Sequence, residues 1–382
     1  MQAKKKNRIL MLLENNSFPE DRRVAMEVES LVGAGFELTV ICPTGNSKRW
    51  IDTAVGARVY RYPAAFEIGG TLGYVWEYGY SLIMMTLVSV FVFFRHGFDA
   101  IHVHTPPDMT AMIAISYQFL GKRFVFDHHD LSPELYLARR GDDTPNFVFK
   151  VLLFFERLAC RHADRLIATN ETQRRIHIDR CGADASRCAV VRNGPHGSFL
   201  NAVEPLQALR QKRKLVLGFV GVIGVQDGVD YMVRVLHELK SKHGRADFIG
   251  VIVGDGTALE DLKALAAGLD VVDLIEFTGA VPYTRVPEYV AAFDICLTPD
   301  PSNAYNDSCT TIKTMEYMAM RKPTVCFRTR ENEVTALDAA LYADQNSVAD
   351  FAELTIQLMD DPELREVMGR IARQRIDEKL SW

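Results

Sequence analysis

An alternation of strand and helix signals that begins twice constrains this chain more than any other feature. Arg8–Leu13 is an apolar run, RILMLL. After it Val24, Val28, Leu31 and Val32 fall at i, i+4, i+7 and i+8, one face of a helix. Gly33 and Gly35 end that helix. Strand-like runs recur at Glu37–Cys42, Ala57–Tyr62, Ala100–His104, Arg123–Asp127, Arg165–Thr169 and Ala189–Gly194, with helical stretches between them. The pattern restarts at Leu215–Gly221. It continues through a helix near Val229–Lys242, then Phe248–Gly256, Leu274–Gly279, Asp294–Pro299, a helix near Thr311–Met320, and Pro323–Phe327. Strands separated by helices predict parallel sheets made of βαβ units. The restart predicts two such sheets, hence an α/β chain of two Rossmann-like domains. With 382 residues, each half can bury its own core. The expected bounds are 1–200, a polar linker at 201–214, and 215–382.

Open parallel sheets bind ligands outside the carboxyl ends of their strands, and facing domains can share one cleft there. The loops after strands are therefore where chemistry is expected. A net charge of −5 argues against a nucleic-acid partner. The seven cysteines are odd in number, lack a C-x-x-C pair and sit mostly in apolar runs. They read as buried thiols of a reducing cytoplasm. The N-terminal MQAKKKNRILMLL lacks the cleavage site of a signal peptide.

Tyr80–Phe94, YSLIMMTLVSVFVFF, is the most apolar stretch. It is shorter than the roughly 20 residues a membrane span needs. Glu77 lies on one side and Arg95 and His96 on the other. Two readings fit: a half-buried helix of the first domain, or contact with a membrane surface, which Lys4, Lys5 and Lys6 would assist.

Four loops carry candidate chemistry. Asp127, His128, His129 and Asp130 follow a buried strand in FDHHDLSPELY, with Glu134 close behind. Neutral imidazoles can exchange hydrogen bonds with sugar hydroxyls, and carboxylates can fix their tautomers. A metal site and a structural turn are the competing readings. Gly221, Gly224, Gln226 and Asp227 end the first strand of the second half, where a helix start could receive phosphate. Gly254 and Asp255 lie in VGDG, which reads either as a ligand approach or as a tight turn. The last loop, after Pro299, contains Asp307, Ser308, Thr310 and Thr311 and leads into a helix bearing Lys313 and Glu316. Its N-terminal end suits a diphosphate, Lys313 can add a cation, and Glu316 can accept from ribose hydroxyls. An ion pair between Lys313 and Glu316 is the bland alternative.

These strings resemble the family-4 retaining glycosyltransferases, which have the GT-B fold of two Rossmann-like domains with parallel sheets facing across a cleft. VGDGTALEDLKALA, IEFTGAVPYTRVPEYVAAFDICLTP and KTMEYMAMRKPTV resemble the donor domain. FPEDRRVAMEVESLVGAGFELTVICP, HVHTPPD and DHHDLSPELY resemble the acceptor domain. The resemblance implies transfer of a sugar from a nucleotide diphosphate sugar with retention, without a metal or other cofactor. It places His129 at the cleft histidine and Glu316 at the second glutamate of a paired motif. The expected donor set is Gly221, Gly224, Gln226, Gly254, Asp255, Val281, Ser308, Thr310, Thr311, Lys313 and Glu316. His128, Asp130 and Glu134 are expected on the acceptor side, and His129, Asp307 and Lys313 in catalysis.

The chain departs from the family in three places. Ser308 stands where the first glutamate is usual, with Asp307 beside it as a substitute. Gln226 and Asp227 stand where Lys-Gly is common, so Lys313 is expected to supply the missing cation. The chain stops at DEKLSW, where relatives usually continue through a helix that crosses back to the first domain. The expected setting is cytoplasmic, peripheral at the inner membrane face, in synthesis of a cell-surface polysaccharide or glycolipid with a glycan or lipid-linked acceptor. Two alternatives keep the fold: a sugar-nucleotide epimerase or hydrolase, and a non-catalytic nucleotide-sugar-binding partner subunit.

Overall fold

A computed structural model describes residues 7–45, 47, 49–66, 70–142, 144–211, 215–344 and 346–382. The lysines at positions 4–6 lie outside the described residues. The chain forms two compact units, Met1–Tyr136 with Thr144–Val191, and Leu137–Asp143 with Arg192–Trp382.

The first unit is an eight-stranded sheet. Its strands are β1 (Arg8–Leu12), β2 (Glu37–Pro43), β3 (Ile51–Ala54), β4 (Ala57–Tyr62), β5 (Ala100–His104), β6 (Arg123–His128), β7 (Arg165–Ala168) and β8 (Cys188–Val190). The order is β3-β4-β2-β1-β5-β6-β7-β8. Only β3 runs antiparallel among these pairings. Helices α1 (Arg22–Gly33), α2 (Gly70–Arg95), α3 (Ala111–Gln118), α4 (Ser132–Arg140), α5 (Phe147–His162) and α6 (Glu171–Asp179) connect the strands. Asp21 caps α1 by accepting from the Val24 amide. Met85, Val92, Ile113, Tyr117 and Ala159 of α2, α3 and α5 share one core with Leu10, Ile101 and Phe124. Val24 and Val28 of α1 belong to another, with Met11 and Val40. These are opposite faces of β1, because successive strand residues point to opposite sides.

The second unit holds β9 (Leu215–Val220), β10 (Phe248–Val253), β11 (Ile275–Gly279), β12 (Ile295–Thr298), β13 (Thr324–Phe327) and β14 (Ala340–Ala343). The order is β11-β10-β9-β12-β13-β14, parallel throughout. Every residue of β9, β10, β12 and β13 is buried. Such unbroken apolar runs are what helices on both faces of a parallel sheet require. The helices are α7 (Gln207–Arg210), α8 (Val229–Ser241), α9 (Leu259–Gly268), α10 (Val286–Ala292), α11 (Ile312–Ala319), α12 (Arg330–Ala336), α13 (Val348–Asp360) and α14 (Pro362–Arg375).

Strand order reverses direction at β1/β5 in the first sheet and at β9/β12 in the second. Those switch points open the crevices where parallel α/β sheets take ligands.

Two strands escape the sequence pattern. β3 is an exposed edge whose Ile51 faces solvent, and β14 is an edge strand, ALYA, whose two middle residues are only half-buried. The segment expected as a linker also differs. Phe199 and Leu209 are buried in the second unit's core, and the Leu206 amide donates to Glu288 O. Residues 192–211 therefore pack with the second unit, and the division falls at Val191/Arg192 instead of near 200.

Candidate active site

In the second unit, the turn after β9 and the loop after β12 meet at the switch point. Gly221, Gly224, Gln226 and Asp227 form the first. Asp227 accepts from the Gly224 amide (3.0 Å) and from Gln226 Nε2 (3.0 Å). Gly254 explains its own residue type. Its φ is +147°, and a Cβ there would lie 1.8 Å from Gly221 O. A Cβ on Gly256 would lie 2.3 Å from Ile223 O. The glycines of VGDG thus let the turns after β9 and β10 pack backbone to backbone, which favours the tight-turn reading. Asp255 accepts from the Gly256 amide (2.7 Å), and Val281 is partly buried against the unit's core.

Lys313 and Glu316 each have a partner of their own. Lys313 Nζ donates to Asp300 Oδ1 (2.8 Å) and Oδ2 (3.0 Å), lies 4.0 Å from Asp227 Oδ1, and stands 4.6 Å above the Phe219 ring. Burial works against its charge, yet Asp300 and Asp227 outweigh burial and hold it above the ordinary lysine value. Burial pushes Asp227 up to about 6, opposed by Lys313 and reinforced by Asp300. A Cβ on Gly221 would be 3.8 Å from Lys313 Nζ, so the ammonium adjoins the glycine turn. Glu316 is buried on α11 and accepts from the Tyr283 hydroxyl (2.5 Å).

The start of α11 has no side-chain cap from Thr311. Thr311 instead donates to Asn332 Oδ1 (2.9 Å). First-turn amides of a helix lack intrahelical acceptors and favour an anion. Asp307 accepts from Ser302 Oγ at 3.0 and 3.1 Å, and burial raises its pKa. Ser308 is buried and donates to Tyr305 O (2.7 Å). Thr310 is buried and lies 3.5 Å from Glu331 Oε2, which Arg192 also approaches (3.4 Å).

In the first unit, His128 ends β6 and His129 follows it; the first is buried and the second partly exposed. His128 is fully buried and stacks on His177, with Nδ1 2.9 Å from Nε2 of that ring. Burial, then His177, holds its pKa well below the ordinary value. A ring so enclosed offers no surface to an acceptor, which corrects the expectation for His128. Glu134 likewise forms an ion pair with Arg180, which also pairs with buried Glu156. Asp130 is half-buried in the same loop.

His129 keeps its side chain 13% exposed. Its Nε2 lies 3.4 Å from Asp127 Oδ1 and 3.3 Å from His104 Nδ1. Thr105 Oγ1 accepts from its amide (3.1 Å), and Gln173 donates to its carbonyl (3.0 Å). Beneath it lies a buried network that sequence reading missed. Arg23 Nη2 reaches Asp127 (3.1 Å), and Arg23 Nε reaches Glu27 (3.0 Å). Burial opposes the charge of Asp127, but Arg23 and His129 hold it well below the carboxylate range. Glu27, buried beside Asp127, is pushed well above it. Glu27, His102, His104 and Asp127 bring four potential ligand atoms within 4.8 Å, the arrangement of a small metal site. The Arg23 guanidinium already places one positive charge against both carboxylates.

Residues 21–194 match the glycosyl transferase 4-like domain, and residues 214–361 match glycosyl transferases group 1. The chain belongs to the family-4 glycosyltransferases of GT-B fold. Among its relatives is the D-inositol 3-phosphate glycosyltransferase of Acidothermus cellulolyticus, 30% identical over 224 residues, 54% of this chain and 48% of that protein. The chain spans about half the length of such curated relatives. Sucrose-phosphate synthase from Thermosynechococcus elongatus shares the fold at TM-score 0.75, 14% identity, and coverage of 99% and 96%. WaaG, a glycosyltransferase involved in lipopolysaccharide biosynthesis, does so at 0.73, 16%, 97% and 95%. Anabaena HepE in complex with UDP-glucose does so at 0.72, 15%, 98% and 95%.

Proposed function

We propose that the protein transfers a sugar from a nucleotide diphosphate sugar to an acceptor, with retention at the anomeric carbon and without a metal at the diphosphate. The observation that carries this reading is the switch point of the second unit, where Lys313, on the first turn of α11, adjoins the glycine turn after β9, with Glu316 one turn further along the same helix. The second unit is the donor side in this reading. The diphosphate lies on the α11 start, and Glu316, now hydrogen-bonded to Tyr283, accepts from the ribose. Lys313 exchanges Asp300 for phosphate as the donor binds. The leaving diphosphate is stabilised by the helix start, charge stabilisation at a developing anion. The first unit is the acceptor side, with His129 directed at the transferred sugar and Asp130 nearby.

The setting proposed is the cytoplasm, at the inner membrane face, with a glycan or lipid-linked acceptor of the cell surface. The involvement of WaaG, which shares the fold, in lipopolysaccharide biosynthesis supports the cell-surface acceptor alone.

One observation favours a second reading, binding without turnover. Ser308 replaces the family's first glutamate and is itself buried against Tyr305 O. Thermal shift across UDP-, GDP- and ADP-sugars tests the shared part of both. One donor class is expected to raise Tm by several degrees at saturating concentration, since a ligand that binds only the folded state stabilises it. No shift with any of the three removes the donor site.

A further inference from the structure

Helix α2 is apolar on both sides. The inner side is settled by packing. Met85 and Val92 are buried in the core. Ser89 Oγ lies 3.2 Å from the Tyr117 hydroxyl, and Ser81 donates to buried Glu14 (2.8 Å). The outer side carries Ile83, Leu87, Val90, Phe91 and Phe94, spaced i, i+4, i+7, i+8 and i+11. That spacing is a single stripe along the helix. Their exposures run from 42% at Val90 to 83% at Phe94. No charged residue occurs from Tyr78 to Phe94. Thr86, exposed within the stripe, turns its hydroxyl to Leu82 O (2.7 Å). Phe119 (88% exposed) and Leu120 (59%) extend the surface from the end of α3. The α3 residue Tyr117 packs on Phe93, and Lys122 Nζ lies 5.4 Å over the same ring.

Core packing gives no reason for this outward stripe, and contiguous apolar patches on soluble proteins mark docking surfaces. We propose that the α2 stripe, with Phe119 and Leu120, docks on an anionic bilayer, the helix lying in the plane of the membrane surface. Three features select lipid. The segment Trp76–Arg95 has mean hydropathy 1.6, with 22% of its most apolar window buried. Exposed Arg95 and half-buried Lys122 stand at the margin, where anionic headgroups would meet them. Exposed Trp76 stands at the opposite end, an aromatic suited to the interface. A span is ruled out by the inner side. Ser81 and Ser89 are held in polar contacts with Glu14 and Tyr117, and α2 cannot leave the unit without carrying these serines into hydrocarbon and stripping buried Glu14 of its partner. The stripe uses none of the donor residues. Only its corollary, that the acceptor is membrane-embedded, rests on the transferase reading.

The test is co-sedimentation of the full chain with vesicles of phosphatidylcholine alone or with phosphatidylglycerol. The protein is expected to pellet with the anionic vesicles and less with the neutral ones. Leu87→Glu with Phe94→Glu lowers the bound fraction about tenfold, because carboxylates are driven from the interface. Arg95→Glu with Lys122→Glu lowers binding to anionic vesicles only. Circular dichroism and Tm stay unchanged in the Leu87→Glu/Phe94→Glu pair, since both positions face outward. Wild-type protein that stays in the supernatant overturns the proposal. So does a Leu87→Glu/Phe94→Glu protein that pellets as well as wild type, or light scattering that shows a dimer which this pair splits. Calorimetry with a nucleoside diphosphate on the same preparations reads the donor site separately and is expected to be unaffected.

Discussion

The loop after β6 and the loop after β12 hold equivalent places, each at the carboxyl end of a parallel strand, yet they manage charge differently. Each sets one cation against two carboxylates. In the first, burial pushes Glu27 well above the carboxylate range, so the charge of Arg23 is left to an ionised Asp127 and the base is fixed. Arg23 neutralises Asp127 from α1, 104 residues away in sequence, and His129 sits on top with part of its ring exposed. The second builds a poised cluster. One lysine faces two aspartates, Asp300 and Asp227, and one of those carboxyls has a pKa near the working range. A compensated buried charge sets geometry. An over-compensated one can exchange partners when an anion arrives.

The largest effect is expected where the first cluster is broken. Arg23→Met leaves Asp127 buried without its guanidinium. Loss of one partner from a buried pair costs on the order of 3–5 kcal/mol, read as a drop in denaturation midpoint. Lys313→Met should cost less stability, because Asp227 can take up a proton, and should weaken donor affinity more. Equal stability losses in the two variants would erase the distinction between the clusters.

A smaller effect sharpens it. The raised pKa of Asp227 means the folded protein holds that proton up to about pH 6, above its usual release. The carboxyl is neutral below that value and anionic above it. The contribution of Asp227 to stability therefore falls as pH rises from about 4 to 6 and stays low beyond. In the same window the cluster moves from balanced to net negative. Affinity for a nucleotide diphosphate sugar, whose diphosphate does not titrate there, is expected to be several-fold to about tenfold tighter at pH 5 than at pH 7.5. Asp227→Asn should flatten that dependence in calorimetry. A slope that survives the substitution assigns it to another group.

Much of this was legible in the sequence. Apolar runs and helix spacing gave two α/β units, and loops after strands pointed to His129, Lys313 and Glu316. What periodicity could not show was who neutralises whom. Arg23, His102, Asp300 and Tyr283 reach their partners only through sheet order. The switch points that join β1 to β5 and β9 to β12 are invisible until strands pair. The glycines of VGDG leave a ligand contact and a tight turn equally open in the sequence, because close approach to a ligand and close approach to backbone demand the same residue. Adjacent His128 and His129 were both candidates for sugar contact, and only strand pairing shows which of the two goes into the core.

The central claim is sugar transfer, and one measurement addresses it directly. The full chain is incubated with the labelled nucleotide sugar that stabilises it, together with extracted lipid acceptors. Label is expected to move to the lipid fraction with its anomeric configuration retained. In His129→Ala the rate should fall roughly a hundredfold or more, while donor binding stays measurable. Donor that binds without turnover, or that is hydrolysed or isomerised with no acceptor product, would contradict the account.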